Sequence, residues 1–295
     1  MAYARFAPMI SAASARPALW RAIAGGISAI LLLVAWLCAV AVFFSLTEGV
    51  GFGRALAAVT HGDPATPEGA LKYLLIVGGL GFTTLLAARF WHQRPAVSLT
   101  GPAARTLRHF VIALGITFAA AALLMLIPGP QDATIERNME LSVWLWWLPF
   151  ALFAIAAQTG AEEVFFRGYL QSQFAARFAS PLIWLTIPAF AFGLAHYSPA
   201  LPAQTAWAYV GFATLFGLLA GDLTARTGSI GAAWGLHFAN NTIAVTIIAV
   251  DGTMTGLGLF RSTAGLERLI DLSPWILADL GALILVWLLL RRVLD

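Results

Sequence analysis

The chain has 295 residues, of which 60% are hydrophobic and 11% charged, with a formal net charge of +3 and a mean hydropathy of +0.83. A soluble domain of that composition would expose apolar patches larger than water tolerates, so the chain belongs in lipid. All but one of its 17 basic residues are arginine, and they gather in short loops, which accounts for the basic balance without a nucleic-acid partner.

A spanning helix needs roughly 20 apolar residues, and about eight stretches qualify: 22–46, 69–88, 110–127, 141 onward through Glu162-Glu163, 181–196, 205–221, 229–250 and 274–290. The expected fold is therefore all-α, a polytopic integral membrane bundle forming one domain over 1–295. The first stretch follows Arg5, Arg16 and Arg21, but it is too long for a secretory signal core and no cleavage site follows it, so it reads as an anchor. Cys38, the single cysteine, rules out an intrachain disulfide and a cysteine metal cluster. Gly78, Gly79, Gly81, Gly211, Gly217 and Gly221 are placed for close helix packing.

Orientation is expected from the arginines, because short basic loops stay in the cytoplasm. Arg89, Arg94, Arg105 and Arg108 separate the second and third stretches, Arg167 and Arg177 follow the Glu-Glu pair, Arg226 follows the sixth stretch, and Arg291 and Arg292 close the last. The alternate loops hold Glu48, Asp63 and Glu68, then Asp132, Glu136 and Glu140, then Asp251, Glu267 and Asp271. Both termini should be cytoplasmic. Arginine and alanine richness hints at a GC-rich bacterial genome, hence a bacterial inner membrane.

Three polar inserts interrupt the apolar stretches between about 141 and 250. The first is Glu162-Glu163 with Arg167. Glu163 and Arg167 share a helix face at i, i+4 and can neutralise each other, whereas Glu162 points about 100° away and has no local partner, which suits it to general-base work. The second insert is His196, four residues after Phe192. A turn at Ser180-Pro181 would put Glu162 and His196 at equal heights, both about 25 Å from the hairpin tip. The third is His237 with Asn241 one turn on; an imidazole N–H paired with an amide makes an oxyanion site. Phe192 reads as a wall that positions His196. Ionisable groups at membrane depth are costly, so a chain that keeps them uses them.

Read as EEVFFRGYLQ (162–171), FGLAH (192–196) and HFANN (237–241), these inserts resemble the motifs of the CAAX protease and bacteriocin-processing (Abi) family of intramembrane proteases, which includes the Ras-converting CAAX endopeptidase. The resemblance implies an intramembrane endopeptidase with a catalytic core at about 141–250. In it Glu162 activates water with His196, His237 and Asn241 stabilise the oxyanion, and Glu163 and Arg167 organise the site or grip substrate. The implied partners are the bilayer and a membrane-associated peptide or protein. No cofactor is expected; the alternative is a zinc ion on Glu162, His196 and His237, which supply the three protein ligands usual in catalytic zinc sites. Two other classes compete: a non-catalytic membrane scaffold or immunity protein, and an ion-coupled transporter, which would bury further acidic residues. Asp222 with Arg226 reads instead as an interfacial i, i+4 pair.

Overall fold

A computed structural model describes residues 3–126, 134–265 and 274–294. The architecture is an all-α membrane bundle. Two helices precede and follow the anchor: α1 (Ala7–Ser14) leads into the 30-residue α2 (Leu19–Glu48), and the short α3 (Phe52–Thr60) comes after it. Next come α4 (Pro67–His92), α5 (Val97–Thr100), α6 (Ala103–Leu124) and α7 (Leu141–Glu163). α7 continues without a break through a π-helical segment, Val164–Gln171, into α8 (Ser172–Arg177). After it follow α9 (Pro181–Leu194), α10 (Ala203–Thr227), α11 (Gly231–Thr242) with a second π-helical turn, Ile243–Ile247, and α12 (Pro274–Leu294).

All eight expected stretches are helical wholly or in part, but among the described residues only five helices combine the length and apolar composition for a crossing: Leu19–Glu48, Pro67–His92, Val97–Leu124, Leu141–Arg177 and Ala203–Thr227. The other three apolar stretches are carried by α9, α11 and α12. α9 has 14 residues, so at 1.5 Å per residue it rises about 21 Å, short of the roughly 30 Å of hydrocarbon. The stretch 229–250 is helical through α11 and the π-helical turn to Ile247 and turns extended at Ile248. There the chain becomes a strand, β2 (Ile248–Asp251), in a small sheet with β1 (Ile135–Arg137) and β3 (Phe260–Gly265) that an all-α reading does not contain. β3 is central, antiparallel to β1 and parallel to β2. This sheet ties the segment before α7 to the segment after α11. Asp132, Glu267 and Asp271, assigned above to loops, lie outside the described residues.

Most of the glycines do what the pattern suggested. On α4, a Cβ at Gly78 would crowd Ala157, and one at Gly81 would sit 3.1 Å from the Ala161 backbone, so α4 and α7 meet along a seam of small residues. Gly211 is the exception, with open space where its Cβ would be. α4 is well delimited. Thr66 caps its N-terminus by accepting from the Gly69 N–H at 3.2 Å, with Pro67 in the first turn; at the other end Gln93 adopts the left-handed conformation at φ 58°.

The ends of the chain meet. Arg5 donates to the Leu294 carbonyl at 2.6 Å, and Asp222 on α10 accepts from Tyr3, Arg226 and Trp287. The two termini are thus on one side of the bundle. On the same side, Arg94 reaches from the α4–α5 loop to Ser172 Oγ at 2.8 Å and to Ser98; burial lowers its pKa to about 10. This contact clamps the end of the π-helical segment.

Candidate active site

Each of the three inserts is delivered by a different element. Glu162 and Glu163 close α7, Arg167 is within the π-helical segment, His196 follows α9, and His237 and Asn241 are on α11. A π-helical segment holds one more residue per turn than an α-helix, and such insertions recur at functional sites. Gly168 is needed inside it, because a Cβ there would collide with the Leu99 carbonyl.

Glu163 is the centre of the hydrogen bonding. It is fully buried and accepts from Arg167 Nη1 at 3.0 Å and from His237 Nδ1 at 2.8 Å, both on Oε1. The i, i+4 pair expected from spacing is present, but it has a third member that spacing could not show. Since a carboxylate accepts, His237 Nδ1 is the protonated nitrogen in this contact, and its Nε2 is turned to the other carboxylate, 3.6 Å from Glu162 Oε2. The Arg167 guanidinium, only 2% exposed, lies 4.4 Å from the centroid of the Phe192 ring, a cation–π contact made in an apolar, desolvated setting.

Across from this pair, His196 Nδ1 donates to the Phe192 carbonyl at 2.8 Å, its ring tilted against Phe192 and edge-on to Tyr209. Phe192 therefore does position His196, through its backbone as well as its ring. Asn241 donates from Nδ2 to Gln158 Oε1 at 3.0 Å. His196, His237 and Asn241 line one small cavity of about 50 Å³ with Phe192, Tyr209 and Phe216, room for a water. Glu162 is not in that lining and borders it through His237. The described contact of Glu162 is with His237, and that of the His196 Nδ1 is with the Phe192 carbonyl.

Three buried polar atoms here have no hydrogen-bond partner: Glu162 Oε2, Glu163 Oε2 and Arg167 Nη2. Two residues that the motif reading passed over help build the site. Gln158 stands one helical turn before Glu162 and was legible as a lone amide in an apolar run; Tyr209, on α10, had no signal in its surroundings. Of the residues named for the zinc alternative, Glu162 and His237 stand 3.6 Å apart and His196 lines one cavity with His237; among the described residues no group of three His, Cys, Asp or Glu placed to hold a metal ion is found.

Residues 142–243 match the family described as Type II CAAX prenyl endopeptidase Rce1-like, which bears out the resemblance drawn from the motifs. Among curated proteins the chain is 30% identical over 200 residues to the uncharacterized protein YyaK of Bacillus subtilis (strain 168), a match covering 65% of this chain and 65% of that relative. No solved structure matches.

Proposed function

We propose, from the premise that the motif-bearing segment is Rce1-like in family, that the protein is an intramembrane endopeptidase that hydrolyses a peptide bond in a membrane-associated peptide or protein by direct attack of activated water. The observation that carries this reading is the pairing of a buried carboxylate oxygen without a hydrogen bond, Glu162 Oε2, with an imidazole nitrogen 3.6 Å away. Both atoms accept, so a water donating one hydrogen to each is polarised for attack, and Glu162 is the base that takes its proton. Glu163 holds the His237 ring in the tautomer this needs, and Arg167 balances the charge of Glu163 in apolar surroundings.

The carbonyl oxygen of the scissile bond then faces the opposite wall. Asn241, oriented by Gln158, keeps an N–H for it, while His196, whose Nδ1 donates to the Phe192 carbonyl, presents its other nitrogen as an acceptor at the same cavity. Compared with the roles implied by the motifs, His237 rather than His196 goes with Glu162. No metal takes part in this scheme. The enzyme is placed in a bacterial inner membrane with both termini in the cytoplasm, on the strength of the arginine loops.

The test is to compare membrane peptides and protein ends between cells expressing the wild type and cells expressing Glu162→Gln. Uncut precursors should accumulate with the variant and disappear with the wild type. Identical peptide profiles, with both proteins folded in the membrane, would favour a non-catalytic scaffold or a transporter.

A further inference from the structure

On the lipid-facing side of the bundle, away from the active site, α2 and α4 enclose a groove of about 920 Å³, within the size range of small-molecule sites. Leu31, Leu32 and Phe90 form its walls and Ala35 and Ala87 its floor; Phe90 is 76% exposed. Its length from Ser28 to Ala35 is about 10 Å along the helix axis. One end is polar. Arg89 and Gln93 border it there, and Arg89 is exposed, its guanidinium in no hydrogen bond or ion pair with any described residue.

The surroundings place that end at a membrane boundary. Trp20 and Trp91 pack edge to face at 5.9 Å, Arg21 stacks on Trp20 and donates to the Trp91 carbonyl, and Trp91 Nε1 donates to Ser28 at 3.0 Å. Paired tryptophans with arginines are the side chains of the headgroup level. Arg21 is therefore occupied by the protein, and Arg89 is not. Gln93, beside it, is the single non-glycine residue among those described with a positive φ. Glycine would adopt that backbone freely, yet the chain places there an amide that borders the polar end.

We propose that this groove binds an anionic phospholipid, its phosphate on Arg89 and Gln93 and an acyl chain lying between α2 and α4. A guanidinium stays charged in any protein setting and grips phosphate through two parallel N–H bonds. The apolar floor and walls below it match a hydrocarbon chain and no soluble anion. The site is independent of the proteolytic reading.

The experiment is native mass spectrometry of delipidated protein titrated with phosphatidylglycerol, with phosphatidylcholine, and with phosphatidylglycerol plus inorganic phosphate. The wild type should bind phosphatidylglycerol about tenfold more tightly than phosphatidylcholine, whose choline ammonium offsets the phosphate charge that Arg89 meets. Arg89→Gln should abolish that preference. Ala35→Trp, which fills the exposed floor and leaves the arginine in place, should weaken both lipids. Arg108→Gln, an exposed arginine on α6, should bind as the wild type does. Equal binding of the two lipids by the wild type, an undiminished preference in Arg89→Gln, or displacement of the lipid by an equal concentration of phosphate would each overturn the proposal.

Discussion

Two charged clusters are buried in this bundle, and they use their hydrogen-bonding capacity very differently. Around Asp222, both carboxylate oxygens are engaged: Oδ1 by Tyr3 and Arg226, Oδ2 by Arg226 and Trp287, with Arg291 3.7 Å away. Around Glu163, three ionisable side chains and a histidine meet, yet one oxygen of each glutamate and one guanidinium nitrogen have no partner. Burial of charge is common to both, so burial does not distinguish a reactive site from a structural one. The distinguishing property is unfilled hydrogen-bonding capacity next to a cavity. The Asp222 cluster closes on itself and ties the chain ends together; the glutamate cluster leaves atoms for something else to bind.

That contrast can be broken at several points. The largest effect is expected from Glu162→Gln, which keeps the shape of the site and removes the base: peptide cleavage should fall by about 10²- to 10⁴-fold, with the melting temperature in detergent nearly unchanged. Cleavage within a few-fold of wild type would mean the contrast is not one between chemistry and scaffold. Next is Glu163→Gln. It strands the Arg167 guanidinium in an apolar interior, a change worth about 3–5 kcal/mol of stability, to be read from thermal or denaturant unfolding. Adding Arg167→Met should recover much of that stability but not the activity.

In the other cluster the sign reverses. Asp222→Asn should cost about 1.5–3 kcal/mol through its charge-assisted bonds, while cleavage per folded molecule stays at the wild-type rate; a loss of turnover equal to that of the Glu162 variant would put Asp222 in the chemistry. The smallest effect concerns Tyr3, whose pKa is raised by burial first and by the Asp222 carboxylate second. A tyrosine whose folded pKa exceeds its ordinary value contributes stability that is present below about pH 10 and lost as pH rises beyond it. Tyr3→Phe should remove this alkaline sensitivity and cost about 1 kcal/mol at neutral pH, measured by unfolding across a pH series.

What could be read from the linear chain follows from which contacts are local. The Glu163–Arg167 pair, the turn at Ser180-Pro181 and the Asp222–Arg226 pair lie within one helix or one hairpin, and each was legible from spacing. The His237–Glu163 bond joins residues 74 apart in sequence, and no spacing rule reaches across helices. For the same reason the approach of His237 to Glu162 was invisible: it depends on which ring nitrogen turns toward a neighbouring helix. The small sheet escaped notice because its strands are three to six residues long, too short for alternation to register against an apolar background. The helix end at Ile247 was missed because the apolar run continues through it into the strand Ile248–Asp251.

The π-helical segment has a consequence for what the chain can lose. Each residue of an α-helix advances the side-chain direction by about 100°, so an inserted residue works as a phase shifter: everything after Gln171 is rotated relative to α7 by a fraction of a turn. Ser172 faces Arg94, and Gln171 donates to the Gly221 carbonyl at 2.9 Å, in that shifted phase. A deletion of one residue between Val164 and Phe166 would heal the helix and make it more regular. It would also change the Glu163–Arg167 spacing from i, i+4 to i, i+3 and carry Ser172 away from its clamp, so the shortened chain would have a smoother helix and different contacts behind it.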